Sequence, residues 1–411
     1  MDNSLPPGFV DITEQVRRDF PPDPILNGGR HKAAPSSEPE IWDAVDVLSK
    51  FIEPREWLLG NIFCKEFLSC LIGPGAVGKT AVRLVQALSL ATGRSLSGDY
   101  VHRRCKVLIL CFEDGRKEME RRVRAALMHH NVGEEARGWL FCAAITGQRL
   151  FEDGGIGTLE TWLRTKIQRL GAELVIFDPF VKIHDEEEND NTRIDMVCSA
   201  LARLGIEMNI APDYLHHVRK GSATPGDPDA GRGAGAAKDA GRLGYTLVPM
   251  SEKERDTFGL SEKERRLIVR MDNAKVNIAA PSTETRWFRL IGVPIGNFTD
   301  TYPHGDEVQT VEPWNPPDLF AGLSFAILNQ ILDKIDAGMT DGTLYSSDNA
   351  AKKRAAWKVI CDIAPDKTEA QARAIINTWQ RNGVFILEEY KDPSRGEPAK
   401  GLRVNAAKRP G

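Results

Sequence analysis

Residues Gly73, Pro74, Gly75, Ala76, Val77, Gly78, Lys79 and Thr80 set three glycines, a lysine and a hydroxyl in the spacing GxxxxGKT. Glycine lets the backbone turn so tightly that several N–H groups face one anion. A helix opening at Lys79, Thr80 and Ala81 would aim its positive end the same way. The Lys79 ammonium supplies a point charge to the β- and γ-phosphates of a nucleoside triphosphate, and the Thr80 hydroxyl is a hard oxygen ligand for Mg²⁺. The apolar run FLSCLI precedes this stretch and the helical AVRLVQALSLA follows it, the strand–loop–helix setting the chemistry requires. Residues 73–81 therefore read as a nucleotide-binding loop, with ATP and Mg²⁺ as the expected ligand and cofactor.

Hydrolysis needs two further carboxylates. The apolar run Leu174-Val-Ile-Phe ends in Asp178, at the edge of a sheet where an aspartate holds the Mg²⁺ shell. The base that orients water is read as Glu113, at the end of VLILCFEDG. Asp114 is its alternative, or else a cap for the helix that follows. A base directly after Asp178 is ruled out because position 179 is proline, and the acids at 185–188 stand seven or more residues away.

These groups need elements to position them. Apolar strand candidates are Phe67–Ile72, Val107–Phe112, Leu140–Ile145 and Leu174–Phe177, alternating with helical spacing at Ala81–Leu90, Lys117–His130 and Leu159–Leu170. In Lys117–His130, Met119, Val123, Ala126 and Leu127 recur at three- and four-residue steps on one face, with Arg and Glu opposite. Farther on, YTLVPM, RRLIVRMD and TRWFRLIG read as strands separated by turns. The pattern predicts an α/β fold whose mostly parallel sheet has helices on both faces and antiparallel strands added at one edge.

The chain has 411 residues, 54 Lys+Arg against 58 Asp+Glu, and a net charge of −4, which excludes a polybasic protein coating nucleic acid by bulk charge. No apolar run approaches a membrane span, and no leader signature opens the chain, so a cytoplasmic location is expected. Seven cysteines without a CxxC pair read as buried free thiols in a reducing compartment. Residues 1–40 are proline-rich and read as a disordered tail, 41–291 as the core domain, 292–318 as a Pro/Gly-rich linker, and 319–411 as a second domain.

The loop at 73–80, EDG after the next strand, LVIFDP, DEEENDNT and His216-His217-Val-Arg-Lys-Gly together resemble a RecA-like P-loop ATPase. More narrowly they resemble the hexameric RepA-type replicative helicases of plasmids and phages (the AAA_25 group), over roughly residues 45–290. The resemblance extends to GRGAGAAKDAGR at 231–242 and to VRMDNAKVNIAAPSTETRWFRL at 269–290. It implies that Lys79, Glu113 and Asp178 act on ATP, and that His217, or alternatively His216, senses the γ-phosphate. It also implies that Arg242, with Arg232 as competitor, reaches the nucleotide of a neighbouring subunit in a hexameric ring. Without that resemblance, twin histidines at a strand end also fit a surface pair or zinc ligands. The sequence departs from the family at IAPDYLHH, where Pro212 and Asp213 predict a strand that starts late or bulges.

A DNA partner, single-stranded or duplex, is expected on two grounds. The Gly/Ala-rich stretch from Val218 to Ala240 carries Arg219, Lys220, Arg232 and Lys238, whereas the acidic Asp185–Asp190 would repel a backbone. Toward the C-terminus, helices near Ala321–Ala337, Asn349–Ile363 and Ala370–Arg381, the last opened by a Thr368…Gln371 capping box, precede a hairpin of FILEEY and LRVN. That order predicts a winged-helix-like domain with Ala370–Arg381 as reading helix and Trp357 and Trp379 in its core. Residues 350–411 hold 13 Lys+Arg against seven Asp+Glu. A helicase or replication ATPase is the first reading, and a non-translocating DNA-binding ATPase switch the second. A small-molecule kinase is the third, disfavoured because no acceptor-site signature appears.

Overall fold

The computed structural model describes residues 41–152, 155–156, 158–186, 190–218, 225–226, 241–279, 285–348, 351, 353–393 and 396–410. The chain divides into two compact units, Met1–Pro54 and Arg55–Gly411. The expected tail at 1–40 lies outside the described residues. In the rest of the first unit, Asp43 caps a 3-10 turn at Ala44–Ser49, and Ile41, Trp42, Leu48 and Phe51 are exposed.

The second unit opens with a short hairpin, β1 (Trp57–Leu59) and β2 (Phe63–Cys64). Then come β3 (Ser69–Pro74), α1 (Lys79–Thr92), β4 (Val107–Cys111), α2 (Arg116–His129), β5 (Leu140–Ala144) and the two-residue strands β6 (Phe151–Glu152) and β7 (Gly155–Ile156). They are followed by α3 (Thr158–Leu170), β8 (Leu174–Asp178), α4 (Asn191–Met208), β9 (Ala211–Val218) and β10 (Leu243–Pro249). Next are α5 (Glu252–Phe258), α6 (Glu262–Arg265), β11 (Ile268–Val276), β12 (Arg286–Pro294) and β13 (Glu307–Pro313). Three helices, α7 (Phe325–Ala337), α8 (Ala356–Ile363) and α9 (Glu369–Arg381), and a hairpin of β14 (Phe385–Lys391) and β15 (Pro398–Val404) complete it.

Nine strands form one sheet in the order β13-β12-β11-β10-β3-β9-β8-β4-β5; the run from β10 to β5 is parallel and the β10–β13 edge antiparallel. β3, β4, β8 and β9 are almost wholly buried, which is why they read as unbroken apolar runs rather than alternating ones. Two apolar layers cover the sheet. Val82, Val85 and Leu88 of α1 pack on one face, and Leu163, Ile167, Ile194 and Leu201 of α3 and α4 on the other.

Three expectations need correction. Residues 292–318 are not simply a linker: they carry the end of β12 and all of β13, which closes the sheet's edge. Val293 and Ile295 bury against Ala125 of α2 with Ile291 and Val308 beside them, and each such burial stabilises by roughly 1.5–3 kcal/mol. His129 and His130 tie the end of α2 to Glu312 and to the Val311 carbonyl at 3.0 and 2.8 Å.

The strand containing Pro212 and Asp213 is neither shortened nor bulged. β9 runs eight residues, and Pro212 stands one position before the first partner of β3, so the donor it lacks falls where that ladder begins. Asp213 is fully buried but compensated. Arg83 of α1 donates to both its oxygens at 2.8 and 2.9 Å and the Ser69 hydroxyl donates at 2.6 Å, while the guanidinium lies over Phe63. Removing one member of such a pair costs about 3–5 kcal/mol, because the other is left buried and charged. The pair fixes the helix that follows the nucleotide-binding loop to the strand that carries the twin histidines.

None of the seven cysteines is in a disulfide, and Cys64, Cys70, Cys105, Cys111 and Cys198 are buried as expected, but Cys142 on the edge strand β5 is exposed and Cys361 half-buried. Among the described residues no helix is long and apolar enough to cross a membrane.

In the C-terminal part, Ile331, Ile335, Ile360, Ile375 and Trp379 bury together with Phe385 and Leu402, and Trp357 packs partly buried at their margin. The capping box of α9 forms: Thr368 accepts from Gln371 N–H at 3.3 Å while the Gln371 side chain accepts from Thr368 N–H at 2.9 Å. Ser346 bridges Ala355, and Leu402 N–H donates to the Tyr345 carbonyl, so a third short segment joins the hairpin. α9 also packs against α5.

Candidate functional site

The loop leaving β3 turns into α1 through two residues at positive φ, Ala76 at 63° and Gly78 at 97°, of which only the glycine adopts that region at no steric cost. A side chain at 78 would meet Leu290 Cδ2 at 2.9 Å as well as adopting a strained φ, and one at Gly73 would meet the Leu247 carbonyl at 2.3 Å. Glycine is thus demanded at 73 by close approach of backbone and at 78 by the turn.

Around this loop lies a cavity of about 790 Å³. It is lined by Gly75 to Ala81, by Glu113 and Asp114 beyond β4, by Asp178 at the end of β8 and by His217 on β9. Gly73 and Pro74 sit at the β3 end of the loop, and their carbonyls accept from Lys79 Nζ at 2.9 and 2.8 Å. Lys79 also meets His217 Nδ1 at 3.2 Å, which fixes that nitrogen as acceptor and puts the ring proton on Nε2. Burial pushes Lys79 down to about 8 against the opposing pull of Asp178 and Glu113. Burial, and then the Lys79 charge, also lower His217 and keep its imidazole neutral at pH 7, although Glu113 acts the other way.

Neighbouring residues of a strand point to opposite faces, so the twin histidines part company. His217 pairs in register with Gly73 and faces the cavity. His216 is buried on the other side against Phe180, whose ring also contacts Tyr214 and His184.

Thr80 Oγ1 donates to Asp178 Oδ2 at 2.6 Å. The two are hard oxygen donors beside the glycine-rich loop and fit Mg²⁺, which takes one or two protein oxygens plus phosphates rather than a protein cage. Among the described residues no group of three or more His, Cys, Asp or Glu is arranged to hold a metal, which leaves the zinc reading of the twin histidines without a site. Burial pushes the Asp178 carboxyl from 3.8 up to about 6, opposed by the Thr80 hydrogen bond and the Arg122 and Lys79 charges and reinforced by Glu113. Since the folded value lies above the unfolded one, the metal-free chain gains stability as pH falls through this window. A Mg²⁺ held by Asp178 would need the carboxylate, so the sign expected for activity is opposite. Mg²⁺-dependent hydrolysis should fall, and the Mg²⁺ concentration for half-maximal rate should rise, as pH drops through about 6. A pH–rate profile titrated with Mg²⁺ checks this; no change across the window would contradict it.

Glu113 stands two residues beyond Cys111, which pairs in register with Asp178, so the two carboxylates end adjacent strands. Asp114 does not cap the following helix: Gly115 is the N-cap of α2, and Asp114 accepts from Arg122 at 2.8 Å. Arg242 is not in the cavity. It is exposed, and its N–H donates to the Leu68 carbonyl, so it sits at the end of β3 opposite the nucleotide-binding loop, roughly 17 Å along the strand. Arg219, Lys220, Arg232 and Lys238 lie outside the described residues.

One wall was missed from sequence. Asp306, Glu307, Val308 and Gln309 of β13 and its lead-in line the cavity opposite α2, and Arg121 Nε donates to Asp306 at 3.0 Å across it. The signal was present in the alternation of VPI and VQTV within the stretch read as a linker, and was masked by its prolines and glycines.

The AAA_25 family model, described as an AAA domain, matches residues 33–223. The match takes in the loop at 73–80, Glu113, Asp178 and His217 and stops short of β10–β13. With the cavity's geometry it supports a P-loop ATPase that uses a nucleotide, for which Mg²⁺ is the typical companion.

Proposed function

We propose that the chain is an ATP-hydrolysing RecA-like motor of the RepA-type helicase kind, working on DNA as a hexameric ring in plasmid or phage replication. The observation that carries this reading is the meeting of Lys79, Thr80, Glu113, Asp178 and His217 at one cavity from four different strands and their following loops. Glu113 comes from the strand beside Asp178 rather than from the residue after it, as the resemblance implies.

Lys79 neutralises charge on the β- and γ-phosphates, and the neutral His217 donates from Nε2 toward the γ-phosphate. Mg²⁺, held through Thr80 and Asp178, would supply charge neutralisation between those phosphates. Glu113 takes a proton from water while the water oxygen attacks the γ-phosphorus and the β–γ bridging oxygen leaves with ADP.

Arg242 stands at the opposite end of the sheet from its own loop, so the role that the resemblance implies would be on the nucleotide of a neighbouring subunit. An Arg242→Ala variant should bind ATP yet hydrolyse it on the order of 10³ times more slowly. Mixing it with Glu113→Gln should restore part of the rate, because each copy then supplies the group the other lacks. Wild-type turnover by assembled Arg242→Ala alone would remove this arginine from the site.

For the C-terminal part, three helices followed by a hairpin, the joining segment at Ser346 and the basic excess of residues 350–411 support a winged-helix reading. One observation favours the second reading, a DNA-binding ATPase switch. The Gln371 amide in the first turn of α9 lies against Gly259 at the end of α5, so the helix expected to read DNA is engaged by the ATPase part.

A further inference from the structure

A second cavity, of about 570 Å³, opens beside the first and shares one residue with it, Glu113. β4 is flanked by β5 and β8, so the loops that follow these three strands meet there. They bring Thr146, Gln148 and Arg149 from one side and Lys182 and Asp185 from the other. The frame is tied: the N–H groups of Leu150 and Phe151 both donate to the Ile183 carbonyl, at 2.8 and 3.0 Å.

The lining sets two cations against the carboxylates Glu113 and Asp185, and its cations and neutral donors suit the oxygens of an anion. Arg149 and Lys182 are exposed cations, and Thr146 and Gln148 add neutral donors. Arg149 meets Asp185 only at 3.7 Å, well beyond the 2.7–2.9 Å of a charge-assisted hydrogen bond. Lys182 pairs with no carboxylate among the described residues. The acidic stretch that follows is less repellent than its composition implies. Glu186 is engaged by Arg193 at 2.7 Å, and Asp190 caps α4 by accepting from the N–H groups of Thr192 and Arg193. The one aromatic among the described residues of this lining, Phe112, is buried, so it offers no platform on which a base could stack. What fits is a backbone phosphate.

We propose that this cavity is the subsite through which a phosphate of single-stranded DNA acts on Glu113. The proposal rests on the reading of the first cavity as a DNA-dependent ATPase site. Glu113 lines both cavities, so in this proposal the positive charge of Arg149 and Lys182 acts on its carboxylate from the second one. A phosphodiester neutralises both cations, and Glu113 then answers only to Lys79 and the water on the nucleotide side. The coupling acts on kcat rather than on ATP affinity, and it is independent of base sequence.

The test uses the full chain with Arg149→Gln and Lys182→Gln combined, and oligo(dT) as the probe. Phosphate release is measured with and without oligo(dT), and oligo(dT) binding is measured over a range of salt. Binding of a fluorescent ATP analogue and the elution volume report that the variant is folded. The expected result is loss of oligo(dT) stimulation, about tenfold weaker oligo(dT) binding, and a log–log salt slope shallower by about 1.4, two single-strand phosphate contacts' worth. Wild-type stimulation and an unchanged slope in the variant would overturn the subsite while leaving the motor reading intact. A wild-type chain that hydrolyses ATP but neither binds nor responds to oligo(dT) would overturn both.

Discussion

Lys79→Ala is expected to lower ATP turnover on the order of 10³-fold, measured as phosphate release under saturating Mg²⁺ and ATP. Lys79 is 4% exposed, and its ammonium donates to the Gly73 and Pro74 carbonyls and contacts His217. Burial lowers its pKa only to about 8, so near neutral pH it still carries its charge. A positive charge held in a sheltered cavity stabilises the transferring phosphoryl group far more than one in water would. Alanine removes that charge, and no other lysine among the described residues lines the cavity to replace it. Turnover at the wild-type rate would mean that hydrolysis occurs elsewhere.

The second large effect separates binding from chemistry. Glu113→Gln keeps the shape of the side chain but cannot accept a proton from water, so ATP binding should persist while hydrolysis falls 10²- to 10⁴-fold. Equilibrium binding of a fluorescent ATP analogue and single-turnover hydrolysis on the same preparation check the two halves. Asp114→Asn is the internal comparison. Its carboxylate is already engaged by Arg122 at 2.8 Å, so it should keep most of its activity. The reverse pattern, a dead Asp114→Asn and an active Glu113→Gln, would move the base by one residue.

The chemistry-bearing residues were legible because each is dictated locally. A loop with three glycines before Lys79 and Thr80 has few other uses, and a carboxylate closing an apolar run marks the end of a buried parallel strand. The core strands lay within two residues of their expected positions for the same reason. What stayed hidden was decided by distant partners. Asp213 looked like a break in a strand because the sequence does not say that Arg83 lies across from it. β13 looked like a linker because its apolar residues are few and their partners lie on α2, about 180 positions earlier. His216 and His217 are alike in sequence and were separated only by the register of β9 against β3. Arg242 was chosen by resemblance, and its distance from its own loop became visible only with the strand order.

The central claim is that this cavity drives a DNA-dependent motor through an assembled ring. The most direct measurement is the steady-state ATPase rate of the full chain with and without single-stranded DNA, run beside size-exclusion chromatography in the same buffer with Mg²⁺ and ATP. A ring-sized species is expected, whose hydrolysis rises on adding DNA and vanishes with Lys79→Ala. A monomer that hydrolyses ATP at one rate regardless of DNA would contradict it.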